Sequence, residues 1–112
     1  TSNTPALAQR VRSAWSRALP AGTVVPFAQE SMGAEDFTYF VQPELGVAGF
    51  YFSVGGTPGA AFDAARAGGP PVPSHHSPLF RIDPERSIRL GTEAMTVAVL
   101  DLLRPGGSAA GN

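Results

Sequence analysis

Helical and strand-like stretches alternate along this chain, and the alternation predicts an α/β protein. Three observations carry that expectation. An apolar stripe at three- and four-residue spacing runs from Leu7 to Leu19. A run that is apolar on both faces fills Val47 to Val54. A second helical stripe follows Asp83. In order, the elements read helix, strand, helix, strand, long loop, helix.

The first helix starts at Thr4, a good N-cap residue, with Pro5 in the first turn, where a missing N–H costs nothing. Leu7, Val11, Ala14, Trp15, Ala18 and Leu19 share one face, and Pro20-Ala21-Gly22 stops the helix. Thr23 to Phe27 reads as a short strand that Pro26 confines to an edge or a strand end. Ser31 or Gly33 then opens a short helix, with Glu35 and Asp36 complementing its dipole and Phe37, Phe40 and Val41 as its buried face; Pro43 ends it. Val47 to Val54 is the pattern of a central strand and needs neighbours that two strands cannot supply. Residues 60–74, rich in Ala, Gly and Pro, form a long connection with one weak helical turn at Phe62 to Arg66. Asp83-Pro84 begins the closing helix, whose stripe is Met95, Ala98, Val99, Leu102 and Leu103, extended back by Ile88 and Gly91. Residues 1–104 make one domain portion and 105–112 a disordered tail.

Composition narrows the functional classes. A chain of 112 residues suits one modest domain. The formal charge is −1 and the 8 basic residues, all arginine, are scattered, so neither a nucleic acid nor an anionic membrane is expected as a partner. No stretch reaches the ~18 apolar residues of a membrane span. The absence of cysteine rules out disulfides and fits a cytoplasmic location. There is no initiator methionine, which predicts a chain that begins partway through a longer protein. With 13 glycines and 11 prolines, much of it must be loop and turn.

The residue with most chemistry is His76, in Pro73-Ser74-His75-His76-Ser77-Pro78-Leu79-Phe80. Flanking prolines stiffen this run and restrict Ser77 to extended conformations, fixing a ligand's direction before a metal arrives. A divalent ion takes three or four protein ligands. His75, the only other histidine, is adjacent, and neighbouring side chains diverge on an extended or looping backbone. His76 is therefore expected to be one ligand of a site completed elsewhere. Glu35-Asp36 reads first as a dipole-stabilised helix start and second as a catalytic pair. Gly33 allows close backbone approach at that helix start, where free N–H groups can hold a carboxylate. Gly55-Gly56 is either a tight turn or a place where substrate meets backbone. No serine lies in a nucleophile-elbow context.

Three motifs in one order are more specific than any alone: Met32-Gly33-Ala34-Glu35-Asp36-Phe37, the aromatic run ending in Val54-Gly55-Gly56, and His76-Ser77-Pro78-Leu79-Phe80 with Ile82-Asp83 behind it. Together they resemble the C-terminal end of the metal-dependent amidohydrolases related to hippurate hydrolase, aminoacylase and zinc carboxypeptidase of the dinuclear type. In that family a Met-Gly-Ser-Glu-Asp-Phe segment precedes an apolar strand, and a His-Ser-Pro-x-Phe segment supplies the last metal ligand. The likeness spans about residues 5 to 103, with Ala34 where serine is common.

The resemblance implies part of a three-layer, mixed-sheet catalytic domain that lacks its N-terminal half and lid. It implies cleavage of the amide bond of N-acyl amino acids or small peptides by two divalent ions (zinc, manganese, cobalt or nickel) that polarise the carbonyl and activate a bridging water. His76 carries over as a metal ligand. Gly33, Ala34, Gly55 and Gly56 carry over as backbone near the substrate's carboxylate end. No catalytic residue carries over, because the Gly-x-x-His and Asp-Gly-His segments and the paired glutamates of the family are absent. The expected partners are the substrate, the N-terminal half of the same domain and a second copy of the parent. One rival is a non-catalytic α/β module that pairs with another chain through a sheet edge and the stripe around Trp15. Another is a small stand-alone enzyme using Glu35, Asp36 and His76.

Overall fold

A computed structural model describes residues 2–27 and 35–105. Its helices are α1 (Pro5–Ala18), α2 (Gly59–Arg66) and α3 (Pro84–Leu102), with short 3-10 turns at Asp36–Phe40 and Pro43–Leu45. The chain divides into two compact units. The first comprises residues 1–52 and 93–112, and the second residues 53–92.

The first unit is organised around Trp15. Val11, Ala14 and Trp15 are the buried residues of α1, and they recur at the spacing that places them on one face. With Ala94 and Ala98 of α3 they make up the buried hydrophobic residues among those described, and Leu7, Leu19, Val24, Phe50, Phe52 and Val97 pack around them. Small side chains on α3 leave room for the indole, and Trp15 Nε1–H donates to the Ala94 carbonyl at 2.7 Å. That bond removes the desolvation cost of a buried N–H. Phe50 and Phe52, two residues apart, approach the indole at centroid distances of 5.4 and 4.8 Å. Charge closes the outer end: Arg10 Nε–H donates to Asp101 Oδ2 at 2.8 Å, Arg10 Nη2–H to the Asp101 carbonyl, and Arg17 lies 3.6 Å from Oδ1. α1 stops as its sequence demands: Leu19 N–H makes the last helical bond, to the Trp15 carbonyl, Pro20 has no N–H to continue it, and Gly22, at φ 80°, completes the turn after Pro20.

The α/β expectation is overturned: among the described residues there is no strand and no sheet. Thr23 to Phe27 and Val47 to Val54 have strand composition but no ladder partner, and a strand without a neighbour leaves its backbone groups unsatisfied. Residues 49–51 meet the segment before α1 instead. Thr4 N–H donates to the Gly49 carbonyl at 2.8 Å, and Gly49 N–H donates to Thr4 Oγ1 at 3.0 Å. The Asn3 carboxamide donates to the Tyr51 carbonyl at 2.8 Å and accepts from Tyr51 N–H at 2.6 Å. Thr4 occupies the N-cap position, but its hydroxyl serves Gly49 and makes no cap bond. Gly49 is required here, since an added Cβ would lie 2.9 Å from the Val41 Cβ and closer still to Cγ1.

Two further expectations need correction. In the 3-10 turn Asp36–Phe40 and at Val41 after it, Phe37 and Val41 are half-buried beside Gly49, but Phe40 is 69% exposed, although three residues per turn place 37 and 40 on one face. On α3 the buried side is Ala94 and Ala98, whereas Met95, Val99, Leu102 and Leu103 are exposed. Close helix approach selects the small residues, and the large stripe is left outside. Trp15 itself is buried within its own unit, and among the described residues there is no sheet edge. The helix start at Ser31 or Gly33 and the tail beyond Pro105 lie outside the described residues.

In the second unit the predicted weak turn at Phe62 to Arg66 is a full helix from Gly59, because four alanines favour helix and Pro58 fixes its entry. Gly68, at φ 88°, follows its end. Asp83 caps α3: its Oδ1 accepts from Arg86 N–H at 3.2 Å, the geometry of an N-cap carboxylate with Pro at the next position. No described helix is long and apolar enough to cross a membrane.

Candidate metal-binding turn

The histidines sit on two linked turns of the second unit. Ser77 N–H donates to the Ser74 carbonyl at 2.9 Å, and Phe80 N–H donates to the Ser77 carbonyl at 3.0 Å. The Ser77 hydroxyl accepts from Leu79 N–H at 3.1 Å, which fixes the second turn through a side chain. Pro73 precedes this hydrogen-bonded stretch and Pro78 sits inside its second turn, and both limit its alternatives. Both imidazoles are exposed. The expected divergence of the two rings does not occur. Their centroids lie 4.3 Å apart, with planes at 81°. Tight turns at Ser74–Ser77 and Ser77–Phe80 replace the extended backbone that would separate them.

Gly55 and Gly56 belong to the same unit. Gly56 is half-buried against Ile82, and its carbonyl accepts from Asp83 N–H at 2.8 Å. A Cβ at Gly56 would meet Ile82 Cγ2 at 3.0 Å, whereas at Gly55 it would meet nothing. Close approach to Ile82 thus takes the space that a side chain at Gly56 would need, whereas Gly55 is open. The histidine turn therefore lies seven residues before the point where the chain returns to the glycine pair. Gly33 and Ala34 lie outside the described residues. Glu35 and Asp36 are exposed and belong to the first unit, where Asp36 opens a 3-10 turn.

Among the described residues no group of three His, Cys, Asp or Glu side chains is placed to hold a metal ion. The donors present thus do not fit a two-metal centre by themselves. A shallow groove on the outer face of α1, between Pro5, Gln9, Arg12 and Ser16, contains none of the candidate residues. The acidity of Asp101 is displaced. The hydrogen bond from Arg10, with the charges of Arg10, Arg104 and Arg17, holds its carboxyl below the usual 3.8 against the opposing effect of burial. Sequence reasoning missed this clamp, whose only signal was an aspartate inside the last helical stripe.

No family model matches this chain. No curated protein matches it, and no solved structure does.

Proposed function

We propose that this chain is the C-terminal portion of the catalytic domain of a dinuclear-metal amidohydrolase, which cleaves the amide bond of N-acyl amino acids or small peptides. The single observation that carries the reading is the ordered set of motifs, Met32 to Phe37, the aromatic run to Gly56, and His76 to Phe80. The exposed, hydrogen-bonded turn that presents His76 supports it. So does the apolar surface of the first unit, where Phe27, Tyr39, Phe40 and Leu103 are each more than two-thirds exposed, the kind of surface that adjoining polypeptide covers. His76 supplies one ligand, and Gly55 and Gly56 supply backbone beside the substrate. Gly33 and Ala34 would do the same. The remaining ligands, the general base and the second ion's cage come from polypeptide outside this sequence. The isolated chain is inactive, and the absence of cysteine fits a cytoplasmic parent.

Calorimetry tests this directly. The 112-residue chain is expected to take up zinc weakly or not at all, and stoichiometric submicromolar zinc binding would overturn the reading. The coding sequence upstream of Thr1 gives a second check. A continuous frame with a His-x-Asp-like ligand segment and adjacent glutamates is expected. A ribosome-binding site and start codon immediately before Thr1 would favour the rival, a non-catalytic module pairing with another chain, for which the same exposed apolar residues speak.

A further inference from the structure

We propose that His75 and His76 together form a cis bis-imidazole site for a tetragonal divalent ion, copper(II) before any other. The argument is geometric. A metal–nitrogen bond is about 2.0 Å and an imidazole nitrogen lies about 1.2 Å from its ring centroid, so a bound ion sits about 3.2 Å from each centroid. Two imidazoles on one ion then have centroids about 4.5 Å apart for cis ligands near 90°, about 5.2 Å apart at a tetrahedral angle and about 6.4 Å apart if opposed. The observed 4.3 Å matches the cis arrangement and is too short for the other two. The interplanar angle of 81° adds no restriction, since each ring turns freely about its metal–nitrogen bond.

Near-right-angle nitrogen ligands suit copper(II) or nickel(II) rather than zinc, and copper(II) binds most tightly of the first-row divalent ions. No third His, Cys, Asp or Glu side chain among the described residues completes a cluster there, so water fills the other positions. The turns set the backbone of both histidines without help from a metal, through the Ser77 N–H to Ser74 bond and the Ser77 hydroxyl on Leu79 N–H. Both rings are exposed, so ion and solvent ligands reach them unobstructed. This site differs from the one in the proposed hydrolase. There His76 alone is a ligand, and its co-ligands lie elsewhere.

The test is a copper(II) titration of the full chain at about pH 7.5, where an ordinary imidazole is mostly neutral, read by electron paramagnetic resonance and repeated with His75→Asn and His76→Asn. Circular dichroism confirms that each exposed substitution leaves the helices intact. The expected result is one tetragonal copper per chain with nitrogen splittings from two imidazoles, weakened about tenfold or more in either variant because two linked donors become one. Equal binding by wild type and both variants would place the ion elsewhere and overturn the proposal. Retention of full affinity by His75→Asn alone would overturn it too, since His76 would then act without its neighbour. The hydrolase reading places no ligand at His75, so that variant separates failure of the pair from failure of the amidohydrolase assignment.

Discussion

Among the described residues, the first unit contains all five buried hydrophobic side chains, and residues 53–92 contain no buried residue. The first unit is held by the apolar area that Val11 and Trp15 remove from water and by the Arg10–Asp101 clamp. The second is held by backbone and cap bonds: Asp83 N–H on Gly56, Arg86 N–H on Asp83, and the paired turns around Ser77. Each such bond is worth about 1 kcal/mol net, whereas a buried aromatic side chain is worth several times that. The candidate ligands thus lie in the less strongly held region, the usual place for a surface that must adapt to what it binds.

The strongest way to break the contrast is Trp15→Ala. Loss of the indole should cost about 3–5 kcal/mol, most of the stability of a marginal domain. Denaturant titration should show the cooperative transition lost or moved to very low denaturant. Next comes Gly49→Ala, which forces a methyl group against Val41 in the first unit. A destabilisation of about 1–3 kcal/mol is expected from the same titration, and a neutral result would mean that residues 41 and 49 do not pack as closely as described.

In the second unit, Asp83→Ala removes the cap of α3 and should cost about 1 kcal/mol. Hydrogen exchange should localise the effect to the amides of 86–88, leaving those of Val11 to Trp15 protected. A loss of protection spread evenly over both units would dissolve the distinction between them. The smallest effect concerns pH. The folded Asp101 carboxyl titrates below its ordinary 3.8, so its contribution is complete above that pH and disappears as pH falls through the lowered folded value. Asp101→Asn should therefore lower the denaturation midpoint at neutral pH and converge with wild type in acid. A gap that is constant across the acid range would show that the carboxyl charge contributes nothing.

Local rules account for what was legible in the sequence. Thr4-Pro5, the stripe through Val11 and Trp15, Pro20-Ala21-Gly22 and Asp83-Pro84 all depend on neighbours within a few residues, and the corresponding helix boundaries follow. The strands at 23–27 and 47–54 depend on what pairs with them, and composition does not contain that information. On α3 the large side chains were expected to face inward. Of the expected stripe only Ala98 does so, together with Ala94, which lay outside it, because the indole across from them needs small neighbours. The same limit applies to the site. Residue type and flanking prolines marked His76, but the contact between His75 and His76 comes from the two turns around Ser77 and has no signature in spacing.

One contact has a consequence for the ageing of the protein in storage. The Asn3 carboxamide both gives and takes a hydrogen bond with the backbone of Tyr51, standing in for a missing peptide neighbour. Spontaneous hydrolysis of that carboxamide to aspartate replaces the donating NH2 with an anionic oxygen facing the Tyr51 carbonyl. A slow loss of ammonia at one surface position would thereby leave the aromatic segment tied to the start of α1 mainly through Thr4 and Gly49, with no change in chain length to betray it.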